Sequence, residues 1–299
     1  MKKGITKILS ACVFAFVVFL AAGTQSKAAV NMGVKQTGAG SSYVDLAWDA
    51  QLGAGHYHTQ FSQDGKNWID MDNSSSPSES VYNLTQGASY YARVVAYKGS
   101  HYTGTHVMIG VSETAIVSTK PTEVSGLTQT AAGVNSISMS WNASAGAASY
   151  VIYGYINYNW TQIGTSATNS ATITGVAATT STRFSVAAVK NVTGGTVTGD
   201  QCSGVEMKAI PIKVSRIAMQ YYWDSLKEAK YIWTDVNNAD GYQYEVKSAN
   251  GKKTYFRATS TSSYTYVKPF PRGIFVKARV RAYVTVGNKV YYGAWSPYT

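Results

Sequence analysis

Tyr43-Val44-Asp45-Leu46-Ala47-Trp48, Ser136-Ile137-Ser138-Met139-Ser140-Trp141 and Lys230-Tyr231-Ile232-Trp233 are three versions of one segment, spaced by 93 and 92 residues. Apolar residues alternate along each and a tryptophan ends it, the pattern of a strand with one face on a core. About ten residues on, a second alternating strand begins: Tyr57/Thr59/Phe61, Tyr150/Ile152 and Tyr242/Tyr244/Val246. About 48 residues after each tryptophan comes a third: Tyr90-Tyr91-Ala92-Arg93-Val94-Val95-Ala96, Thr182-Arg183-Phe184-Ser185-Val186-Ala187-Ala188 and Val276-Lys277-Ala278-Arg279-Val280-Arg281-Ala282. Six residues upstream of these stand the apolar anchors Leu84, Val176 and Phe270. Agreement at several offsets in three copies identifies an internal repeat.

The chain has 299 residues, 13% aromatic, with 23 tyrosines and only six prolines, which suits many short strands joined by turns. Its first segment reads differently. Lys2, Lys3 and Lys7 precede the mostly apolar run Ile8 to Ala22, and small residues follow at Ser26 and Ala28. A spanning helix needs about 20 apolar residues, so residues 1–28 are expected to be a cleaved secretion signal and the protein to be exported. No second apolar run follows, so no membrane span is expected. Cys12 leaves with the leader, so Cys202 is the one cysteine of the mature chain and no internal disulfide can form. An extracellular chain held without disulfides, behind this style of leader, points to a bacterial source.

The repeat resembles the fibronectin type III module, which has a buried tryptophan on its second strand and a Leu-x5-Tyr-x-Val-x-Val-x-Ala block on its sixth. The first copy carries the block as Leu84, Tyr90, Ala92, Val94 and Ala96; the other two have Thr182 and Val276 where the tyrosine belongs. In the first copy, the resemblance implies a tyrosine corner at Tyr90. The ending Tyr291-Tyr292-Gly293-Ala294-Trp295-Ser296 is similar to the last strand of bacterial copies. The expected fold is all-β, three tandem immunoglobulin-like (fibronectin type III-like) sandwiches over residues 29–119, 120–210 and 211–299. Pro121 and Pro211 mark the junctions, and junctions this short imply a semi-rigid rod. Gly287-Asn288 reads as a hairpin turn.

The formal net charge of +11 is uneven. Residues 29–120 carry −2, residues 121–211 carry none and residues 212–299 carry +9. Lys277, Arg279 and Arg281 alternate on one strand and share the face opposite its core residues. On a sandwich that face is solvent, and three stacked cations suggest an anionic partner such as a cell-wall polymer or acidic glycan. Tyr221, Tyr222 and Trp223 open the same domain, and flat rings can stack on sugars. These six residues are the candidate binding site. Tyr153, Tyr155, Tyr158 and Trp160 form a second aromatic group in the middle domain. A merely solvated cationic face and cross-strand aromatic pairing are the plainer readings of both features.

All four histidines, His56, His58, His101 and His106, lie in the first domain. In the fibronectin topology they would share a sheet, which makes a zinc or copper site geometrically conceivable. They are read here as scattered surface residues, with no metal or cofactor assigned. The chain has no Gly-x-Ser-x-Gly elbow, no His-Glu-x-x-His and no phosphate-binding glycine loop, and the recognised nucleic-acid motifs are absent too. Asp45/Asp49 and Asp70/Asp72 read as strand-end and turn residues rather than catalytic pairs. The expectation is a secreted, non-catalytic binding or adhesion protein that engages an envelope polymer, glycan or surface protein through its third domain. With no sorting signal after Thr299, surface retention would be non-covalent. The rival is a structural spacer or protein-interaction rod.

Overall fold

The computed structural model describes residues 29–99, 106–179, 181–271 and 273–299; the proposed leader lies outside them. Every element is a strand. The first unit contains β1 (Ala29–Val30), β2 (Lys35–Ala39), β3 (Val44–Ala47), β4 (His56–Ser62), β5 (Ile69–Ser74), β6 (Ser78–Val81), β7 (Ser89–Lys98), β8 (Val107–Ser112) and β9 (Ala115–Ser118). One sheet runs β2-β3-β6; the other runs β1-β8-β7-β4-β5, with β9 on the remaining length of β7.

The second unit contains β10 (Thr128–Gly133), β11 (Ser136–Ser140), β12 (Ser149–Ile156), β13 (Asn159–Ser166), β14 (Ser170–Thr174), β15 (Ser181–Val192), β16 (Gly195–Thr198) and β17 (Val205–Lys208). The third contains β18 (Ile217–Trp223), β19 (Glu228–Trp233), β20 (Gly241–Ser248), β21 (Thr254–Ser260), β22 (Tyr264–Val267), β23 (Val276–Val286) and β24 (Lys289–Tyr292). Both repeat the plan of the first. The smaller sheets are β10-β11-β14 and β18-β19-β22, and the larger are β13-β12-β15-β16 and β21-β20-β23-β24, with β17 also on β15. The protein is thus three tandem fibronectin type III-like sandwiches, each closed over its own core.

The alternation read from the sequence fills those cores. Val44 and Leu46, Ile137 and Met139, and Ala229 and Tyr231 point inward ahead of the three tryptophans. Each tryptophan meets the tyrosine nine residues later, with ring centres 5.4 Å apart for Trp48–Tyr57, 5.3 Å for Trp141–Tyr150 and 5.4 Å for Trp233–Tyr242. Each of those hydroxyls accepts a backbone N–H from six residues upstream: Gln51 at 3.0 Å, Ser144 at 3.0 Å and Val236 at 2.8 Å. The ring bridges the core while its polar tip satisfies the loop leading into the strand. Burial and the hydrogen bond to Asp235 raise the Tyr242 phenol to about 12, so it stays protonated.

The tyrosine corner forms in the first unit, where Tyr90 Oη accepts the Thr85 N–H at 3.0 Å. The third unit closes the same region with a ring instead. Phe270 packs on Tyr222 and Tyr231, and its N–H reaches Lys227 O at 2.6 Å. The Gly287-Asn288 turn forms as expected, with Val286 paired to Lys289 and Gly287 at φ +56°.

Neighbouring units touch through the same device twice. The β15–β16 hairpin of the second unit reaches back to β9, where Thr193 N–H bonds Ile116 O at 2.8 Å and Thr193 Oγ1 accepts Ile116 N–H at 2.7 Å. Lys190 donates to Gly87 O beside them, and burial lowers its ammonium pKa. The β23–β24 hairpin of the third unit reaches back to β10, where Tyr291 Oη donates to Gln129 O at 3.1 Å and Lys289 to Thr130 O at 3.2 Å.

Tyr150→Phe removes the acceptor of the Ser144 N–H and should cost about 1 kcal/mol in urea unfolding. Tyr158→Phe, at a side chain 91% exposed, should change nothing. Equal midpoints for the two would show that the Tyr150 hydroxyl has no structural part.

Candidate functional site

The third sandwich divides the six candidate residues between opposite sheets. Lys277, Arg279 and Arg281 lie on β23, alternating with the core residues Ala278, Val280 and Ala282. Their face is not the open solvent surface that the alternation suggested, because aromatic residues of the chain's last segment cover it. Arg281 lies 3.9 Å from the Tyr292 ring centre and 4.5 Å from Trp295. Arg279 lies 4.4 Å from Trp295 and 4.8 Å from Tyr298, and Lys277 lies 4.6 Å from Tyr298. Cations and rings alternate, and each cation is held by the negative face of a ring.

Beneath the ladder is an acid that the sequence reading missed. Glu245, on β20, is 0% exposed. Arg257 bonds it through Nε at 3.1 Å and Nη2 at 2.5 Å, Arg279 Nε at 2.5 Å and Tyr298 Oη at 3.1 Å, with Lys247 Nζ at 3.3 Å. Burial pushes this carboxyl up, but the hydrogen bonds from Arg257, Arg279 and Tyr298 outweigh it and hold the group at about 2. Register makes the cluster: Glu245 pairs with Arg279 on one side and Arg257 on the other. Arg281 is bound in the same way to Gln243 Oε1, at 2.9 and 2.6 Å.

Tyr221 and Trp223 belong to the other sheet. Their ring centres are 5.4 Å apart, and Trp223 lies 6.2 Å from Tyr266, which is 5.9 Å from Tyr264. Lys230 pairs with Tyr221 on one side and Tyr266 on the other. Its ammonium sits 5.0 Å from the Tyr264 ring and 5.7 Å from Tyr266. The four rings are exposed, so the smaller sheet presents an aromatic face, its rings inclined to one another by 32–81°, with a cation over two of them. Tyr222 is turned away onto Phe270. Lys230, Tyr264 and Tyr266 were not picked out from the sequence; the alternation Tyr264-Thr265-Tyr266 carried the signal, but only strand pairing joins it to Tyr221 and Trp223.

Elsewhere, Tyr155 and Trp160 are a cross-strand pair with ring centres 5.3 Å apart. Cys202 is buried at 7% exposure. Its Sγ accepts the Val186 N–H at 3.2 Å, where Ser112 Oγ accepts Val94 N–H at 2.9 Å and Ser296 Oγ accepts Val280 N–H at 3.0 Å. The thiol therefore replaces a serine that the other two units keep.

The reading of scattered surface histidines is corrected. His56 is buried, and the rings of His56, His58 and His106 lie together, with centres 5.4, 5.4 and 6.2 Å apart. Strand pairing gathers them: His56 opposes Tyr97, whose other neighbour is Met108, two residues beyond His106. His101 lies outside the described residues.

No family model and no curated protein matches the chain. Among solved structures it is similar to the FN1–FN3 domains of chicken CNTN1, at 16% identity over 90% of this chain and 96% of that one, with a TM-score of 0.37. It is also similar to a segment of two fibronectin type III domains from chicken tenascin, at 17% identity over 59% of this chain and 97% of that one, with a TM-score of 0.31. Among the described residues no helix is long and apolar enough to cross a membrane.

Because the Glu245 carboxyl is depressed from 4.5 to about 2 in the fold, the stability it contributes is present above pH 4.5 and is lost as pH falls toward 2. Glu245→Gln should lower stability at pH 7 by about 2 kcal/mol and flatten the acid limb of the unfolding profile. An unchanged acid limb would mean that the carboxylate is not held as described. Cys202→Ser should keep the melting temperature within a few degrees, and the native thiol should resist a thiol reagent until denaturant is added.

Proposed function

We propose that the protein is an exported, non-catalytic binding protein whose third sandwich contacts an anionic glycan or cell-envelope polymer. The observation that carries this reading is the platform of Tyr221, Trp223, Tyr264 and Tyr266 around Lys230. Exposed rings on a sheet face can stack on sugar faces, and a lysine beside them offers a counter-charge to a phosphate or carboxylate on the polymer. Lys277, Arg279 and Arg281 add to the field from the opposite sheet, where much of their hydrogen-bonding capacity is already used. The net +9 of residues 212–299 favours encounter with a polyanion.

A concavity of the first unit, lined by Phe61, Ile69, Met71, Leu84 and Tyr90, holds one carboxylate, Asp64. The backbone N–H groups of Asn67 and Lys66, with the Asn67 side chain, occupy that carboxylate's oxygens and lower its pKa. It has neither the second acid nor the raised pKa of a general acid. The spacer reading is favoured by one feature, the hairpins that tie each unit back onto its predecessor.

The test is sedimentation with purified cell-wall sacculi at low and high salt. Binding should weaken with salt, since exposed charges are screened over about 8 Å at 0.15 M, and Tyr221→Ala with Tyr266→Ala should weaken it at least about tenfold, since both rings supply apolar contact area. Binding that ignores both variants would leave the spacer reading in front.

A further inference from the structure

We propose that two copies of this chain pair through β13 of the middle sandwich, edge to edge and antiparallel, so that their larger sheets join into one. β13 is an end strand of its sheet, with β12 on one side and no strand on the other. The β12–β13 hairpin closes on the two-residue turn Asn157-Tyr158, with Ile156 paired to Asn159. Alternation from that pair leaves Trp160 and Gln162 with their backbone N–H and C=O directed away from β12. An edge of this kind is a template for another strand.

The same edge recurs in the other two sandwiches as β5 and β21, and all three carry a bulge. The other two add charge, which discourages pairing: Asp70 and Asp72 on β5, and Arg257 on β21. β13, Asn159-Trp160-Thr161-Gln162-Ile163-Gly164-Thr165-Ser166, has none. The middle sandwich is also the one in balance. Residues 121–211 carry no net charge, whereas residues 212–299 carry +9 and would repel their own copy.

The tip of the hairpin points the same way. Tyr158 is 91% exposed, and Tyr155, Ile156 and Trp160 beside it are exposed too. Asn157 and Tyr158 have φ of +49° and +65°, the geometry of a type I′ turn, where glycine is the favoured second residue. A tyrosine there costs backbone strain, and a ring so exposed repays little of it within its own sandwich. A second copy supplies the missing contact. With Thr161 on the two-fold axis, Trp160 of each copy exchanges N–H···O=C bonds with Gln162 of the other. Tyr158 of each then lies beside Ile163 and Gly164 of the other. The contact is isologous, so it closes at two copies.

The experiment is sedimentation velocity on residues 29–299, which carry all three sandwiches, over a range of protein concentration. The chain should shift from monomer to a single dimer as concentration rises. Gln162→Lys gives β13 a charge of the kind its counterparts carry and sets like charges near the two-fold axis. It should weaken association at least about tenfold. Tyr158→Gly should weaken it at least about fivefold while holding or raising the melting temperature of the monomer, since glycine takes φ of +65° without strain. Association lost from a fold at least as stable separates a missing contact from a damaged structure. A chain that stays monomeric at every concentration overturns the proposal, as does a dimer that Gln162→Lys leaves intact. Unchanged dimerisation in Tyr158→Gly would remove the tip from the interface.

Discussion

Each sandwich is organised around a tryptophan and the tyrosine nine residues after it. The two rings lie on facing sheets, so their contact sets the distance between the sheets and the registration of one against the other. The tyrosine hydroxyl, bonded to a backbone N–H six residues upstream, also fixes the loop that carries the chain across. One side chain thus does two jobs that a disulfide often shares in small extracellular domains. That makes a disulfide-free sandwich of about 90 residues workable, and explains why the pair recurs unchanged where the corner tyrosine is lost.

Much of this was legible because it is local. The alternating strands and the Gly287-Asn288 turn lie within a few residues of the features that define them, and the tryptophans repeat them at spacings of 93 and 92 residues. What was not legible depends on partners far apart in the chain. The cationic face of β23 follows from alternation, but its cover comes from Trp295 and Tyr298, and its counter-charge is Glu245, on another strand. A buried carboxylate is also something that composition argues against. His56, His58 and His106 scatter along the sequence and meet only through the register of β4, β7 and β8. Cys202 looks solitary until the last strands are superposed and Ser112 and Ser296 take its place.

The two sheets of the third unit illustrate two uses of aromatic residues beside charge. On the larger sheet, rings and cations interleave until each satisfies the other, which stiffens the edge of the molecule and leaves little surface for a ligand. On the smaller sheet, a single lysine serves two of four rings, so most of the aromatic surface remains uncovered. Sequence composition cannot tell these apart, because both regions read as basic and tyrosine-rich.

The hairpins that reach back across each junction couple the three sandwiches in series. A hydrogen bond that completes the last strand of the first sandwich comes from Thr193 of the second, and a carbonyl of the second is capped by Tyr291 of the third. The first two sandwiches each share contacts with the next, a nearest-neighbour coupling of the kind that makes stacked repeats melt as a linked array. Loosening the third sandwich would be felt at β10 and loosening the second at β9, and because the contact energy is shared by both partners the coupling runs equally the other way.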